Sequence, residues 1–325
     1  MPANLPANPR IVAYVDLDLV GDALIKLPLV RAMRHAFPDG ELIWVAGRGR
    51  SAFAGALAPM MPGLLDRVIE QCGVGKGLAD ALGPRRIDLL IDTQSHVGTT
   101  LALRWLRPRR FVSAAGGYLL SGRWPRLGYR KPRWLIRRLL DLLELATGRP
   151  AVTDGPLGLA PAVTALAASL LPAGPCYVAQ ATGAGGKHKA WPLDRHVELA
   201  RALIARGQVP VMILGPDEQD THAPLAATLP GARFPLQQAA ALGQAAGPDL
   251  TIALAGRCAA AVAGDCGGGH MLAASGVRMV SLFGPTDPAK FAPWASSLTI
   301  LRAQDWGAPE MAAIPVAPVL AALEG

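Results

Sequence analysis

The sequence is poor in cysteine and aromatic residues, and it has no long apolar run. Only four of its 325 residues are cysteines, at positions 72, 176, 258 and 266, and no two form a C-x-x-C pair. This spacing argues against a zinc ribbon or a thioredoxin-like site, so we expect idle thiols and no metal centre. The apolar run at 11–15 is too short for a signal peptide, and prolines interrupt the uncharged stretch 155–186. We therefore expect a soluble cytoplasmic protein without a spanning helix.

Acidic residues are missing from a long internal segment. The formal net charge is +8, and residues 93–140 contain no Asp or Glu. Eleven basic residues lie there: Arg104, Arg107, Arg109, Arg110, Arg123, Arg126, Arg130, Lys131, Arg133, Arg137 and Arg138. Such a segment either attracts phosphates, on nucleic acid, lipid or a glycan, or is simply a solvated surface. Aromatics make up only 5% and no nucleic-acid-binding signature occurs, so we expect no nucleic-acid partner.

Short apolar runs alternate with helical periodicity along both halves of the chain. Strands are predicted at residues 11–15, 41–46, 66–70, 87–92, 176–180, 209–214, 259–263 and 278–283, and helices at 22–37, 133–145, 162–171, 193–206, 218–229 and 269–275. This alternation predicts parallel sheets with helices on both faces. The proline-rich stretch 148–175 predicts a boundary between two α/β domains, 1–155 and 156–306. In such sheets, ligands bind beyond the carboxyl ends of the strands.

Glycine-rich loops follow two predicted strands of the second half. In one, Asp265 precedes Gly267, Gly268, Gly269 and His270, where backbone N–H groups at a helix start suit a diphosphate. The alternative is a flexible glycine loop with Asp265 as the helix cap.

The other loop begins at Thr182 and reaches Pro192. It contains Lys187 and Lys189, but it fits neither the P-loop nor the dinucleotide-binding glycine pattern. It is either a phosphate-binding loop or a solvated loop with two lysines.

Acidic residues also follow the first predicted strand. Asp22, after Gly21, is suited to act either as a general base or as a helix cap. Asp16 and Asp18 spell D-x-D, a short match that we discount as a metal site. The sequence after the strand at 278–283 is typical of a tight turn.

Taken in order, these motifs resemble one family. They are G-D-x-L-x-x-L-P from Gly21, G-A-G-G-x-x-K-x-W-P from Gly183, G-P-x-E ending at Glu218, D-x-G-x-x-H from Asp265 and F-G-P-T-D-P from Phe283. The chain thereby resembles glycosyltransferase family nine, the bacterial ADP-heptose:lipopolysaccharide heptosyltransferases, over residues 11–294. The resemblance implies an α/β fold of the GT-B type, with two Rossmann-like domains and an interdomain cleft. It also implies that a tail, 307–325, crosses back onto the N-terminal domain.

The resemblance assigns roles to individual residues. Asp22 is implied as the general base, Lys189 as the diphosphate contact and Glu218 as the ribose contact. The remaining donor-binding positions that it implies are Thr182, Asp265, Gly267, Gly268, Gly269 and His270.

From these residues we expect an inverting, metal-independent glycosyltransferase without a cofactor. It would move a sugar, a heptose from ADP-heptose, to a lipopolysaccharide-core or similar anionic glycan. Arg126, Arg130 and Arg133 are the expected acceptor contacts, with peripheral contact at the inner face of the cytoplasmic membrane. The alternative is a sugar-nucleotide-binding protein with other chemistry, such as an epimerase, for which His96 and Glu198 are the spare acid–base candidates.

Overall fold

A computed structural model describes residues 5–154 and 157–324. The chain divides into two compact units, Met1–Gly158 and Leu159–Gly325. This division falls within the proline-rich stretch that the sequence marked as a boundary. The predicted boundary itself, between residues 155 and 156, lies outside the described residues.

The first unit is built on a five-stranded parallel sheet in the order β3-β2-β1-β4-β5. Its elements are β1 (Arg10–Val15), α1 (Val20–Ala36), β2 (Glu41–Ala46), β3 (Arg67–Glu70), α2 (Lys76–Leu82), β4 (Leu89–Asp92), α3 (Val97–Trp105), β5 (Arg110–Ser113) and α4 (Leu135–Thr147). All six residues of β1 are buried, as expected of a central strand whose two faces are covered by helices.

Helices α1 and α4 pack against each other in this unit. Helix α4 buries one apolar side, which includes Ile136, Leu139 and Leu143, because these residues recur every three to four positions. It ends where Gly148 adopts the left-handed conformation, with φ at 74°, and its N–H donates to the carbonyl of Glu144 at 2.7 Å.

The second unit repeats the architecture with sheet order β10-β9-β8-β6-β7, again all parallel. Its elements are α5 (Pro161–Leu170), β6 (Tyr177–Ala181), α6 (Leu193–Ala205), β7 (Val209–Ile213), α7 (His222–Thr228), α8 (Pro235–Ala241), α9 (Pro248–Ala255), β8 (Ala260–Gly264), α10 (Gly267–Ala274), β9 (Arg278–Phe283), α11 (Pro288–Phe291), β10 (Leu298–Arg302) and α12 (Val316–Glu324). Helices α5, α8, α9 and α10 contribute to one apolar core of this sheet, and α6 and α12 to a second core.

Sequence periodicity predicted the central strands of both sheets but missed several of the neighbouring strands and helices. All eight predicted strands are present, with ends that differ by at most two residues. Strands β5 and β10 and helices α2, α3, α8, α9, α11 and α12 were not predicted. The helix predicted at 218–229 is split into a 3-10 turn, Pro216–Thr221, followed by α7, and α10 begins two residues before its predicted start.

The described part of the C-terminal tail, up to residue 324, falls in the second unit. Helix α12 packs on α6, β8 and β9, and it buries Val319 and Leu323 in their core. Burial of these apolar side chains holds the helix on the second sheet. That the tail crosses back onto the N-terminal domain stays a prediction.

Two further expectations concern membranes and thiols. Across the ranges given above, no helix has both the length and the apolarity needed to cross a bilayer. All four cysteines are free thiols, and Cys176, just before β6, is the exposed one among them.

Candidate active site

The strand order of each sheet reverses at one point, where an open α/β sheet forms its binding crevice. In the first unit this point lies between β1 and β4, and in the second between β6 and β8. The loop after β6 is the glycine–lysine loop that begins at Thr182, and the loop after β8 contains Asp265. The topology therefore brings both glycine-rich motifs to one edge of the second sheet.

Lys189 and Asp265 meet across this edge. Lys189 lies in a 3-10 turn, Lys187–Lys189, and its Nζ is 3.9 Å from Asp265 Oδ2. A third of the Lys189 side chain remains accessible. The pair is therefore a loose contact that leaves the ammonium group able to bind a phosphate oxygen.

The three glycines form the first turn of α10 and not a flexible loop. The helix cap is Cys266, whose Sγ accepts from the N–H of Gly269 at 3.4 Å, so the interpretation of Asp265 as the cap is wrong. A Cβ on Gly269 would lie 2.8 Å from the carbonyl oxygen of Gly264. The missing side chain thus lets the helix start approach β8 closely, with backbone N–H groups at its positive end.

His270 follows in the same turn and is nearly inaccessible. Only 7% of the residue is exposed, and burial lowers its pKa to about 4. The imidazole is therefore neutral at physiological pH and is able to donate one hydrogen bond without carrying a charge.

Glu218 comes from the loop after β7, and its side chain lies beside the glycine–lysine loop. Its Oε2 accepts from the N–H of Gly215 at 2.8 Å, and its carboxylate lies against Gly183. A Cβ on Gly183 would be only 2.7 Å from Glu218 Oε1. The neighbouring Thr182 is buried, and its Oγ1 has no hydrogen-bond partner among the described residues. An acceptor carboxylate and an unpaired hydroxyl therefore stand beside the glycine–lysine loop.

Asp22 lies in the first turn of α1, directly beyond β1. The N-terminal cap position is Leu19, and no side chain caps the helix, so the cap interpretation of Asp22 is wrong. The Asp22 side chain is exposed, and Lys26 Nζ donates to its backbone carbonyl at 3.1 Å. An exposed carboxylate at the carboxyl edge of the first sheet is suited to take a proton from a bound substrate.

The comparison with protein families covers more than half of the chain. The family model described as glycosyltransferase family 9 (heptosyltransferase) matches residues 78–316. The chain belongs to this family. It is therefore a glycosyltransferase, and the enzyme class expected from its motifs is confirmed.

Solved structures of family 9 enzymes share the whole fold. A family 9 glycosyl transferase from Veillonella parvula has a TM-score of 0.72 at 17% identity and covers 98% of this chain and 96% of its own. ADP-heptose lps heptosyltransferase II from E. coli has a TM-score of 0.67 at 19% identity, with 97% of each chain covered. E. coli heptosyltransferase WaaC, solved with ADP, has the same score and identity over 97% of this chain and 99% of its own. These likenesses confirm the predicted GT-B fold class. A search of curated protein sequences finds no match.

The matched range divides the predicted site residues of this family 9 chain. It contains every predicted donor residue, from Thr182 to His270, and it contains Arg126, Arg130 and Arg133. Asp22 precedes it. The role of Asp22 therefore depends on its own geometry and on experiment.

The three predicted acceptor arginines lie on the irregular segment before α4. All are exposed, and α4 begins at Leu135, two residues after its predicted start. Arg126 lines a cavity of about 630 Å³, whose other lining residues are Tyr118, Arg123, Trp124, Pro125, Tyr129, Asp141, Glu144, Leu145, Gly148, Arg149 and Pro150. Arg130 and Arg133 do not line it.

Both aspartates of the D-x-D match bind other side chains of the protein. Asp18 is buried and accepts from Trp44 Nε1 at 2.9 Å, while Asp16 accepts from Tyr14 OH at 3.0 Å and pairs with Arg48 at 3.6 Å. Burial raises the pKa of Asp18. Among the residues described, no three His, Cys, Asp or Glu side chains are grouped so as to hold a metal ion.

Sequence reasoning missed the residues that hold the glycine–lysine loop. Trp191 is buried, donates from Nε1 to the carbonyl of Ile314 at 3.1 Å and packs edge-on against His196, with ring centres 4.9 Å apart. His196 Nδ1 in turn lies 3.0 Å from Gln180 Oε1, and burial lowers its pKa to about 3. The W-P dipeptide was the available signal, but its partners are distant in sequence.

The spare acid–base candidates belong to two different helical regions. Glu198 is exposed on α6 and pairs with Arg195 at 3.2 Å. His96 lies in the first unit, just before α3. Neither belongs to the group formed by Lys189, Glu218 and Asp265 in the second unit.

Proposed function

We propose that this enzyme transfers a heptose from ADP-heptose to a lipopolysaccharide-core or similar anionic glycan, with inversion at the anomeric carbon. The observation that carries the proposal is the group of Lys189, Asp265 and Glu218 around the glycine start of α10 in a family 9 chain. It is supported by E. coli WaaC, which was solved with ADP and with ADP-2-deoxy-2-fluoro heptose.

The acceptor is activated from the first unit. Asp22 removes the proton from an acceptor hydroxyl while that oxygen attacks the anomeric carbon. The bond to the nucleoside diphosphate breaks on the opposite face of the sugar, so the configuration inverts. The exposed carboxylate, which is not used as a helix cap, supports this role.

The leaving group is stabilised from the second unit. The Lys189 ammonium group and the backbone N–H groups at the start of α10 bind the diphosphate as its charge develops. Neutral His270 adds a hydrogen bond. Asp265 orients Lys189 and does not itself contact the anion, because two negative groups repel each other. Glu218 accepts hydrogen bonds from the ribose hydroxyls, and Thr182 Oγ1 gains the partner that it lacks.

The proposed reaction uses neither a divalent cation nor a cofactor. The diphosphate charge is met by a fixed ammonium group and backbone dipoles, which do the work that a metal ion does in other transferases. The enzyme acts in the cytoplasm, in lipopolysaccharide biosynthesis, with peripheral contact at the inner face of the membrane. The basic segment of the first unit supports an anionic acceptor.

A thermal-shift panel of ADP-, UDP- and GDP-sugars tests the donor, with a transfer assay on the same samples. We expect ADP-heptose to raise the melting temperature most, since a ligand that binds only the folded state stabilises it by mass action. Lys189→Ala should weaken ADP binding about tenfold or more and adenosine binding little, because a hydrogen bond to a charged group contributes about 1.5–3 kcal/mol. Turnover should persist in EDTA.

Three results contradict the proposal. They are a larger shift with a UDP- or GDP-sugar, equal losses for ADP and adenosine in Lys189→Ala, and loss of turnover in EDTA that Mg²⁺ or Mn²⁺ restores. The first overturns the donor, the second the diphosphate site and the third the metal-independent mechanism.

A further inference from the structure

Large apolar side chains are exposed along α3. Val97, Leu101 and Trp105 follow one another at intervals of four residues, so they share one side of the helix. Each is at least half exposed, and Trp105 is 69% exposed. Leu103 and Thr100 occupy the buried side. The helix is therefore apolar on both its inner and its outer side.

A second exposed apolar group lies on the segment that precedes α4. It consists of Leu119, Trp124, which is 65% exposed, and Leu127, which is wholly exposed. Arg104 Nη1 donates to the carbonyl of Leu120 at 2.6 Å, and α3 packs on the 3-10 turn Ala115–Tyr118. These contacts place Leu119 beside α3, and Trp124 and Leu127 follow Leu119 on the same exposed segment of the first unit. We call the two groups together the α3 face and define it as Val97, Leu101, Trp105, Leu119, Trp124 and Leu127.

Basic residues flank the α3 face in the sequence, without intervening acidic residues. The exposed basic side chains nearby in sequence are Arg104, Arg107, Arg126, Arg130 and Lys131. Residues 93–140 contribute no Asp or Glu, and the first carboxylate that follows, Asp141, is bound by Arg137 at 2.7 Å and by Tyr129. A surface of tryptophan, leucine and arginine without acids complements an anionic bilayer.

Monomeric soluble proteins rarely expose several large apolar side chains together. At a bilayer, indole rings settle at the headgroup level, leucines enter the acyl boundary and arginines pair with lipid phosphates. The cavity beside Trp124 is lined by the cations of Arg123, Arg126 and Arg149 and by Asp141 and Glu144, both of which pair with Arg137, and it has space for an anionic headgroup. An acidic protein partner would pair with the arginines, but the side chains of Leu127, Trp105 and Trp124 would then stay exposed to water.

We propose that the α3 face docks the first unit on an anionic phospholipid bilayer. The proposal rests on the proposed function only in naming the surface that makes its membrane contact. Val97 follows the carboxyl end of β4, which neighbours β1, and Asp22 lies just beyond the carboxyl end of β1. The Val97 end of the α3 face therefore lies at the same edge of the first sheet as Asp22, and a docked enzyme would hold that edge near the membrane from which a lipid-linked glycan extends.

Vesicle co-sedimentation tests the docking. The vesicles consist either of an equimolar mixture of phosphatidylglycerol and phosphatidylcholine or of phosphatidylcholine alone. We expect binding to the anionic vesicles that weakens with salt, and little binding to the neutral ones. Trp105→Ala/Leu127→Ser should bind the anionic vesicles about tenfold more weakly, since it removes two inserted side chains. Both residues are exposed, so this variant should fold.

Matched controls lie on the second unit. Leu242 and Arg201 are exposed there, and Leu242→Ala/Arg201→Ser should bind vesicles as the unaltered protein does. Arg126→Ser/Arg130→Ser should flatten the salt dependence. The ADP-heptose thermal shift of Trp105→Ala/Leu127→Ser should be unchanged. This readout separates the two proposals. If vesicle binding fails and ADP-heptose still raises the melting temperature, only the docking is overturned. If vesicles bind and ADP-heptose leaves the melting temperature unchanged, only the donor is overturned.

Three outcomes overturn the docking. One is an unaltered protein that ignores anionic vesicles, and another is full binding by Trp105→Ala/Leu127→Ser. The third is self-association in sedimentation velocity that this variant abolishes, without vesicle binding, because the α3 face is then an interface between two copies.

Discussion

The proposed role of Asp22 as general base rests on the chemistry of its exposed carboxylate more than on its place in the fold. The helix cap was its competing role, and the structure leaves the cap position to Leu19 without a side-chain hydrogen bond. Asp18, four residues earlier, is buried against Trp44 and is unavailable to substrate. Of these two carboxylates beyond β1, Asp22 is the one that a substrate is able to reach.

The conservative change Asp22→Asn should lower kcat by about a hundredfold to ten-thousandfold, the usual contribution of a general base. The dissociation constant of ADP-heptose should change little, because the base acts on the acceptor in the transition state. Stopped-time transfer assays and donor titration measure the two quantities. Asp39→Asn, at an exposed position beyond the other end of α1, is the control and should keep full activity. Near-normal turnover in Asp22→Asn rules out the proposed base.

At the scale of elements, the proposed donor half of the site consists of three loops that follow β6, β7 and β8. The sequence predicted the glycine-rich loops after β6 and β8, because glycine clusters after apolar runs indicate backbone that must approach something closely. It could not predict which glycine is crowded. Gly183 stands against the Glu218 carboxylate, whereas a Cβ on Gly185 meets nothing within 4 Å.

This difference gives a matched pair within one loop. Gly183→Ala should displace the Glu218 carboxylate and weaken ADP-heptose binding about tenfold, since a hydrogen bond to a charged group contributes about 1.5–3 kcal/mol. Gly185→Ala should bind as the unaltered enzyme does. Calorimetric titration with ADP and 2′-deoxy-ADP checks the cause, because the loss in Gly183→Ala should shrink for the analogue if Glu218 holds that hydroxyl. Equal losses in both variants point to a general effect on the loop.

The strands and helices that sequence reasoning missed lack a clear local pattern of apolar and polar residues. Strand β5 is only four residues long and begins with Arg110, so it presents no apolar run. Helices α8 and α9 are rich in small apolar residues and lack a polar side that would reveal a helical period. His196 and Gln180 lie on different elements, and only the packing of α6 on β6 brings their side chains together. Pairings of that kind depend on tertiary structure, which local patterns do not contain.

At the scale of the whole molecule, the buried histidines of the second unit and two buried aspartates of the first have opposite effects on how stability depends on pH. In the second unit, burial lowers the pKa of His196 to about 3 and of His270 to about 4, whereas histidine in an unfolded chain titrates near 6.5. The unfolded state therefore binds more protons as the pH falls below about 6.5, and the folded state loses stability until the pH reaches the folded pKa values. In the first unit, burial raises the pKa of Asp18 and Asp92, which opposes this trend.

His196→Gln should therefore flatten the pH dependence of the melting temperature between about pH 6.5 and 5, even if it lowers the melting temperature itself. Scanning calorimetry across this range measures the slope. The control is His35→Gln, at an exposed position near the end of α1, which should keep the slope of the unaltered protein. An unchanged slope in His196→Gln means that the buried imidazole is not neutral in the folded state.

The surface on which the C-terminal helix α12 packs could not be predicted from the sequence. The apolar residues of α12 indicate only that this helix must be covered, and several apolar surfaces satisfy that need. Within the second unit, Trp191 donates to the carbonyl of Ile314 and Arg278 donates to that of Leu323. The tail thereby helps to fix the loop that carries Lys189.

The arrangement of the thiols offers a route to observing this enzyme at work. Burial raises the pKa of Cys72 and Cys266, and that of Cys258 to about 12, so at neutral pH these sulfurs are poor nucleophiles. A maleimide fluorophore should therefore attach first at exposed Cys176, with no engineered cysteine. That position lies at the amino end of β6, about 17 Å of strand from the donor loop at the other end. A dye there would report donor binding through its emission without occupying the nucleotide site.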